Sequence, residues 1–147
     1  MRINDEMNRC IRYGTIFSLS IIDLDHFKEV NDTYGHLTGD SVLKELIILI
    51  KDNIRDTDIV ARYGGEEFVI IYPCTPRLGV LTQIERLRMV VENHKFIDLD
   101  RPVTISVGAA DSAGKDDAAM VIQEADSSLY LAKRSGRNKC VIVGVTT

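Results

Sequence analysis

Asp23 and Asp25 stand two residues apart in "IIDLDHFKEVND", where an apolar run of strand character gives out. Alternate side chains of an extended chain share a face, so the pair could present two carboxylates to one divalent cation, a hard acid that prefers oxygen ligands. The same pattern also suits a solvated strand exit or a helix N-cap. Phe27 and Lys28 open the next helix, whose first backbone N–H groups and positive dipole end can hold phosphate oxygens. Lys28 either adds a full charge there or simply faces solvent.

In "NDTYGHLTGD" the amide of Asn31 and the carboxylate of Asp40 complement a guanine edge, with its N1–H, N2 amine and O6. They also fit plainer roles, a helix C-terminal residue and a first-turn acid. His36 is expected to hold this link through a ring hydrogen bond. In "RYGGEEF", Gly64 and Gly65 suit a two-residue primed turn, in which both central residues take positive φ. Their missing side chains would also let a phosphate or ribose approach the backbone. Once the strand begins, Glu66 and Glu67 should point to opposite faces, leaving Glu66 to join Asp23 at metal if the two strands are neighbours. Lys133 and Arg137, in "AKRSGRN", either reach the outer phosphates of a triphosphate or complement a helix C-terminus.

The elements that must position these groups alternate in type. Strands are expected at about 16–24, 58–63, 66–72, 103–111 and 139–145, the second and third forming a hairpin. Helices are expected at 26–33 and 38–54, beyond Pro76 with Leu81, Ile84, Leu87 and Val91 in its stripe, and through Ala118, Ile122, Ala125, Leu129 and Ala132. Residues 1–14 read as part of an N-terminal helix. The pattern implies an α/β sandwich around a mixed, partly antiparallel five-stranded sheet.

Bulk properties narrow the function. A chain of 147 residues that is 45% hydrophobic fits one domain, 1–147, burying about two-thirds of its unfolded surface. A net charge of −4 argues against a partner that is a nucleic-acid polymer held on a broadly basic face. Cys10, Cys74 and Cys140 are odd in number and hold no CxxC pair, so a reducing cytoplasm is the expected setting. The longest strictly apolar run, "LIILI", is far short of the roughly 20 residues that span a bilayer.

In order, "DLDHFKEVND", "GHLTGD", "RYGGEEF", "SVG" at 106–108, "ADSSLYLAK" at 125–133 and "GRN" at 136–138 resemble the GGDEF family of diguanylate cyclases, in its GGEEF form, from about Phe17 onward. The resemblance implies a ferredoxin-like, nucleotidyl-cyclase palm-type α+β sandwich. It implies condensation of two GTP molecules into cyclic di-GMP with release of two pyrophosphates, by a two-fold homodimer in which each domain holds one GTP. Carried over, Asp23, Glu66 and the Leu24 carbonyl bind metal, two Mg²⁺ per active site with Mn²⁺ as a substitute. Asp23, Glu66 and Lys28 are catalytic. Asn31 and Asp40 read guanine; Lys28, Lys133, Arg137 and the backbone at His26 and Phe27 contact phosphate, beside Gly64 and Gly65. Glu67 matches the second acid of the motif without an assigned role.

The family's RxxD product-inhibition pattern matches Arg55 and Asp58 in "RDTD", with Arg86 as a further contact. The family's D-x-L-T-x-L-x-N-R lead-in does not open this chain, so a truncated form is expected, with the metal and guanine residues intact. An upstream sensory or dimerising domain normally regulates such domains, in a bacterial and cytoplasmic protein whose parent could be membrane-anchored. The alternative reading is a non-catalytic receptor for cyclic di-GMP or GTP.

Overall fold

The structure, a computed structural model, describes residues 2–144. Its centre is β1 (Phe17–Leu24), a run of apolar residues with two serines and Asp23, buried at all eight positions. A strand buried on both faces cannot be an edge, and β1 is flanked on both sides by antiparallel partners, β3 (Glu67–Pro73) and β4 (Ile105–Asp111). The hairpin strand β2 (Ile59–Arg62) closes one edge and β5 (Cys140–Ile142), parallel to β4, closes the other, giving the order β2-β3-β1-β4-β5.

Alternation along the strands divides the core in two. Ile22, Phe68, Ile70, Ile105 and Val107 pack against α3 (His36–Asp52) and α4 (Arg77–Asn93) through Val42, Leu46, Ile84 and Leu87. Leu19, Ile21, Val69 and Ile71 face the other way, against Met7 and Cys10 of α1 (Arg2–Tyr13) and Val121, Ala125 and Leu129 of α5 (Ala118–Arg134). The remaining helix, α2 (Phe27–Tyr34), follows β1 directly. This is the five-stranded mixed sheet with flanking helices that the pattern implied, and no helix of the described residues is long and apolar enough to cross a membrane.

Gly108 sets how closely α5 approaches the sheet. A Cβ there would lie 2.1 Å from the Leu129 nitrogen and 2.4 Å from the Ala125 oxygen, both backbone atoms of α5. Glycine is what allows that helix, and Lys133 near its end, to lie against β4.

Three local expectations need correction. The second helix starts at His36 rather than 38, because Gly35, at φ 91°, already breaks the chain after α2. The last strand ends at Ile142, and residue 145 of its expected span lies outside the described residues. The hairpin is not a two-residue turn: the N–H groups of Tyr63 and Gly64 both donate to the Glu67 oxygen, leaving Gly64, Gly65 and Glu66 in the loop. Neither Gly64 nor Gly65 takes a positive φ.

Candidate active site

The end of β1 gathers most of the singled-out acids. Asp23, at 4% exposure, pairs in register with Glu67 on β3 and Ser106 on β4. One of its oxygens, Oδ2, accepts from the Lys133 ammonium; the other, Oδ1, is buried with no hydrogen-bond partner. A buried, half-satisfied carboxylate is a costly arrangement unless something else arrives at the free oxygen.

Glu66 and Glu67 do not separate onto opposite faces as alternation suggested. Glu67 shares a face with Asp23 by register, and Glu66 precedes the strand, so alternation does not bind it. Burial, and then the negative charge of Asp23, push both carboxyls above their usual range, with Lys133 opposing. Glu66 also comes within hydrogen-bond reach of Asp23, which raises it further. The Leu24 N–H donates to the Glu66 carbonyl at 3.4 Å, and in an extended strand the Leu24 carbonyl opens the same way.

These donors suit a hard divalent cation. The orphan oxygen of Asp23, the raised Glu66 carboxyl and the Leu24 carbonyl are oxygen donors of the kind such a cation takes, all near the end of β1. Among the described residues no three His, Cys, Asp or Glu side chains enclose one ion. A divalent cation held here would therefore have to fill its remaining positions with water or other oxygens.

Beside the acids lies a cleft of about 540 Å³ lined by Phe27, Lys28, Asn31, Asp40, Leu43, Arg62, Gly65, Glu66 and Glu67. One wall is formed where α2 packs on α3, with the Asn31 side chain against Gly39, the residue before Asp40. At the start of α2, His26 has φ 57° and ψ 34°, and the N–H groups of His26, Phe27 and Lys28 have no acceptor among the described residues. Such a turn is an anion-binding end. His36 is exposed and makes no ring hydrogen bond among the described residues, so the structural role expected of it is not seen. A larger depression of about 700 Å³ runs along α4 from Leu81 to Asn93, away from the strand-end carboxylates.

Asp25, left open above between metal sharing, a solvated strand exit and a helix N-cap, has another task. It is buried and accepts from Thr104 Oγ1 at 2.8 Å, Ser106 Oγ at 2.6 Å and the Asn138 N–H at 2.9 Å. It thereby ties the "GRN" loop to the sheet, one residue from the exposed Arg137.

The family model described as "Diguanylate cyclase, GGDEF domain" matches residues 1–139. The chain belongs to the GGDEF family. It is 43% identical over 137 residues to diguanylate cyclase DosC of Escherichia coli K12, covering 91% of this chain and 30% of that protein. It is 40% identical over 145 residues to the response regulator PleD of Caulobacter vibrioides, covering 95% of this chain and 32% of PleD. The chain therefore spans about a third of the length of these relatives.

Among solved structures, the active GGEEF domain of a Vibrio cholerae diguanylate cyclase superposes with a TM-score of 0.91 at 32% identity, covering 99% of this chain and 94% of that one. The coiled coil and GGDEF domain of DgcB from Caulobacter crescentus, in complex with c-di-GMP, gives 0.88 at 31% identity, covering 97% and 77%.

In this GGDEF chain the Arg55–Asp58 pair is an internal clamp. The Asp58 side chain is closed to solvent and accepts from the Arg55 N–H at 2.9 Å and its guanidinium at 3.1 Å. Both Asp58 oxygens are thus engaged within the protein, and the half-exposed Arg55 is the group that faces outward, held also by Thr75 Oγ1. Arg86, on α4, donates to the Asn53 carbonyl at 3.3 Å, two residues before Arg55.

Two residues shape the cleft without a mark in the sequence, Arg62 in its lining and Gly39 buried behind Asn31. Arg62 donates to the Gly64 and Gly65 carbonyls, both from Nε at 3.2 Å, and so shapes the hairpin loop. Its place beside the glycine pair was visible, but a surface arginine carries no mark of what it will bind. Gly39 packs under Asn31, a contact between two helices that spacing alone does not reveal.

Proposed function

We propose that residues 1–147 act as the catalytic domain of a diguanylate cyclase that joins two GTP molecules into cyclic di-GMP, one GTP held by each of two domains meeting about a two-fold axis. The observation that carries this reading is the half-satisfied Asp23 carboxylate beside Glu66, at the mouth of the cleft lined by Asn31 and Asp40. In it, Asp40 and Asn31 read the guanine edge, the α2 amides with Lys28 hold phosphate oxygens, and Lys133 and Arg137 steady the outer phosphates. The open positions at Gly64 and Gly65, where an added Cβ would meet nothing closer than 3.7 Å, let the nucleotide lie against the hairpin. Asp23, Glu66 and the Leu24 carbonyl would hold Mg²⁺, two ions per site, with Mn²⁺ able to replace it. When bound, the metal lowers the pKa of the attacking 3′-hydroxyl and stabilises charge on the α-phosphate.

Two active sites must face each other because each 3′-hydroxyl attacks the α-phosphorus of the other nucleotide. Arg55 and Arg86, on adjoining segments, are proposed to bind product and inhibit. Incubating the dimerised protein with GTP and Mg²⁺ tests the reading. Cyclic di-GMP and pyrophosphate are the expected products; GTP bound but unconverted by a dimer would favour a receptor instead.

A further inference from the structure

Gly39 is the fourth residue of α3, buried, and its φ is ordinary for a helix, so nothing in its own backbone requires glycine. What requires it is Asn31. A Cβ on residue 39 would lie 1.8 Å from Asn31 Oδ1, 3.0 Å from Asn31 Cγ and 3.3 Å from Phe27 Cζ. All three are side-chain atoms, and the closest is the tip of a side chain that can rotate. This separates Gly39 from Gly108, whose missing Cβ would strike helix backbone.

We propose that Gly39 is a specificity-determining residue of the cleft: its missing Cβ is the space in which the Asn31 amide stands, beside Asp40 of the same helical turn. A methyl group at residue 39 evicts the amide and leaves the fold intact, because α2 and α3 need not move apart when a side chain can swing away. The cleft then keeps Asp40 and the phosphate-binding start of α2 but loses one of its two base-reading groups. Gly39 touches no nucleotide atom and acts wholly through Asn31. The inference rests on the guanine-nucleotide reading of this cleft and adds to it the residue that sets Asn31 in place.

The test is a double-mutant cycle read by binding. The α,β-methylene analogues of GTP and ATP, which cannot be cyclised, are titrated with Mg²⁺ into wild type, Gly39→Ala, Asn31→Ala and the double variant, with thermal unfolding of each. Gly39→Ala is expected to lose about tenfold in affinity for the guanine analogue, the scale of a displaced hydrogen-bonding group, with adenine-analogue affinity unchanged. In the Asn31→Ala background the same substitution should add less than about twofold, since the group it acts through is gone. Unchanged guanine preference in Gly39→Ala, an undiminished loss in the Asn31→Ala background, or collapse of the Gly39→Ala fold would each overturn the role of Gly39. A wild type that binds both analogues equally would overturn the guanine reading, and this proposal with it.

Discussion

Lys133 and Asp23 meet where the end of α5 crosses the end of β1: the ammonium takes one oxygen of the buried carboxylate and leaves the other without a partner. Lys133 is the charge that opposes the raised Glu66 and Glu67 carboxyls, and it does not outweigh burial and the Asp23 charge.

Lys133→Met should make this plain. It strands a buried carboxylate, and the metal-free protein should lose about 1–2 kcal/mol, less than a fully buried pair because Lys133 is partly exposed. Urea unfolding with and without Mg²⁺ checks it, and Mg²⁺ should recover more stability in the variant than in wild type.

Metal uptake should also depend on pH. Burial and the Asp23 charge raise Glu66 and Glu67 above the ordinary value of 4.5, so the folded protein keeps these protons longer than the unfolded chain does. Stability from this source falls as pH rises from about 4.5 through the raised native values, then levels off. Mg²⁺ must displace the retained proton, so its affinity should climb over the same range. Calorimetric titration at mildly acidic and at neutral pH is the measurement, and Glu66→Gln should flatten the difference.

Asp111 behaves in the opposite sense. Burial pushes its carboxyl up, but the Arg77 guanidinium, by hydrogen bonds at 3.2 Å and by charge, together with Lys115, outweighs burial and leaves it below 3.8. The pair joins the start of α4 to the end of β4. Its stabilisation is complete above about pH 3.8 and disappears as pH falls through the lower native value. The melting-temperature gap between wild type and Asp111→Asn should be widest near neutrality and close under strong acid.

Gly108→Ala should cost about 3 kcal/mol by denaturant unfolding, since backbone of α5 cannot rotate away from the added methyl. A mild effect would mean that α5 is free to slide on the sheet.

Arg55→Ala should relieve product inhibition and leave the initial rate of cyclic di-GMP formation unchanged, because Arg55 lies outside the cleft. Asp58→Ala should do the same and also lower stability, as its carboxylate caps the Arg55 N–H. Initial rates with and without added cyclic di-GMP distinguish the two effects.

Much of the fold was legible from one-dimensional periodicity. The β1 run, the α4 and α5 stripes and the hairpin all follow from alternation of two or of about 3.6 residues, which is local information. The glycine pair misled because a Gly-Gly dipeptide between strands fits a tight turn. Here the Arg62 guanidinium holds a longer loop with ordinary φ values at both glycines. Spacing left the role of Asp25 open for a similar reason: the partners that claim it, Thr104, Ser106 and Asn138, come from far along the chain.

The sequence by itself determined the inventory: which residues are acids, which stretches are strands, and that six motifs in order belong to the GGDEF family. Only the tertiary structure decided how those acids divide. Register across β1 and β3 put Glu67 on the face of Asp23, the loop freed Glu66 to reach the same carboxylate, and α5 carried Lys133 onto it from 110 residues away. Local pattern fixes the direction of a side chain within its own element, whereas the partner it meets depends on packing between elements distant in sequence.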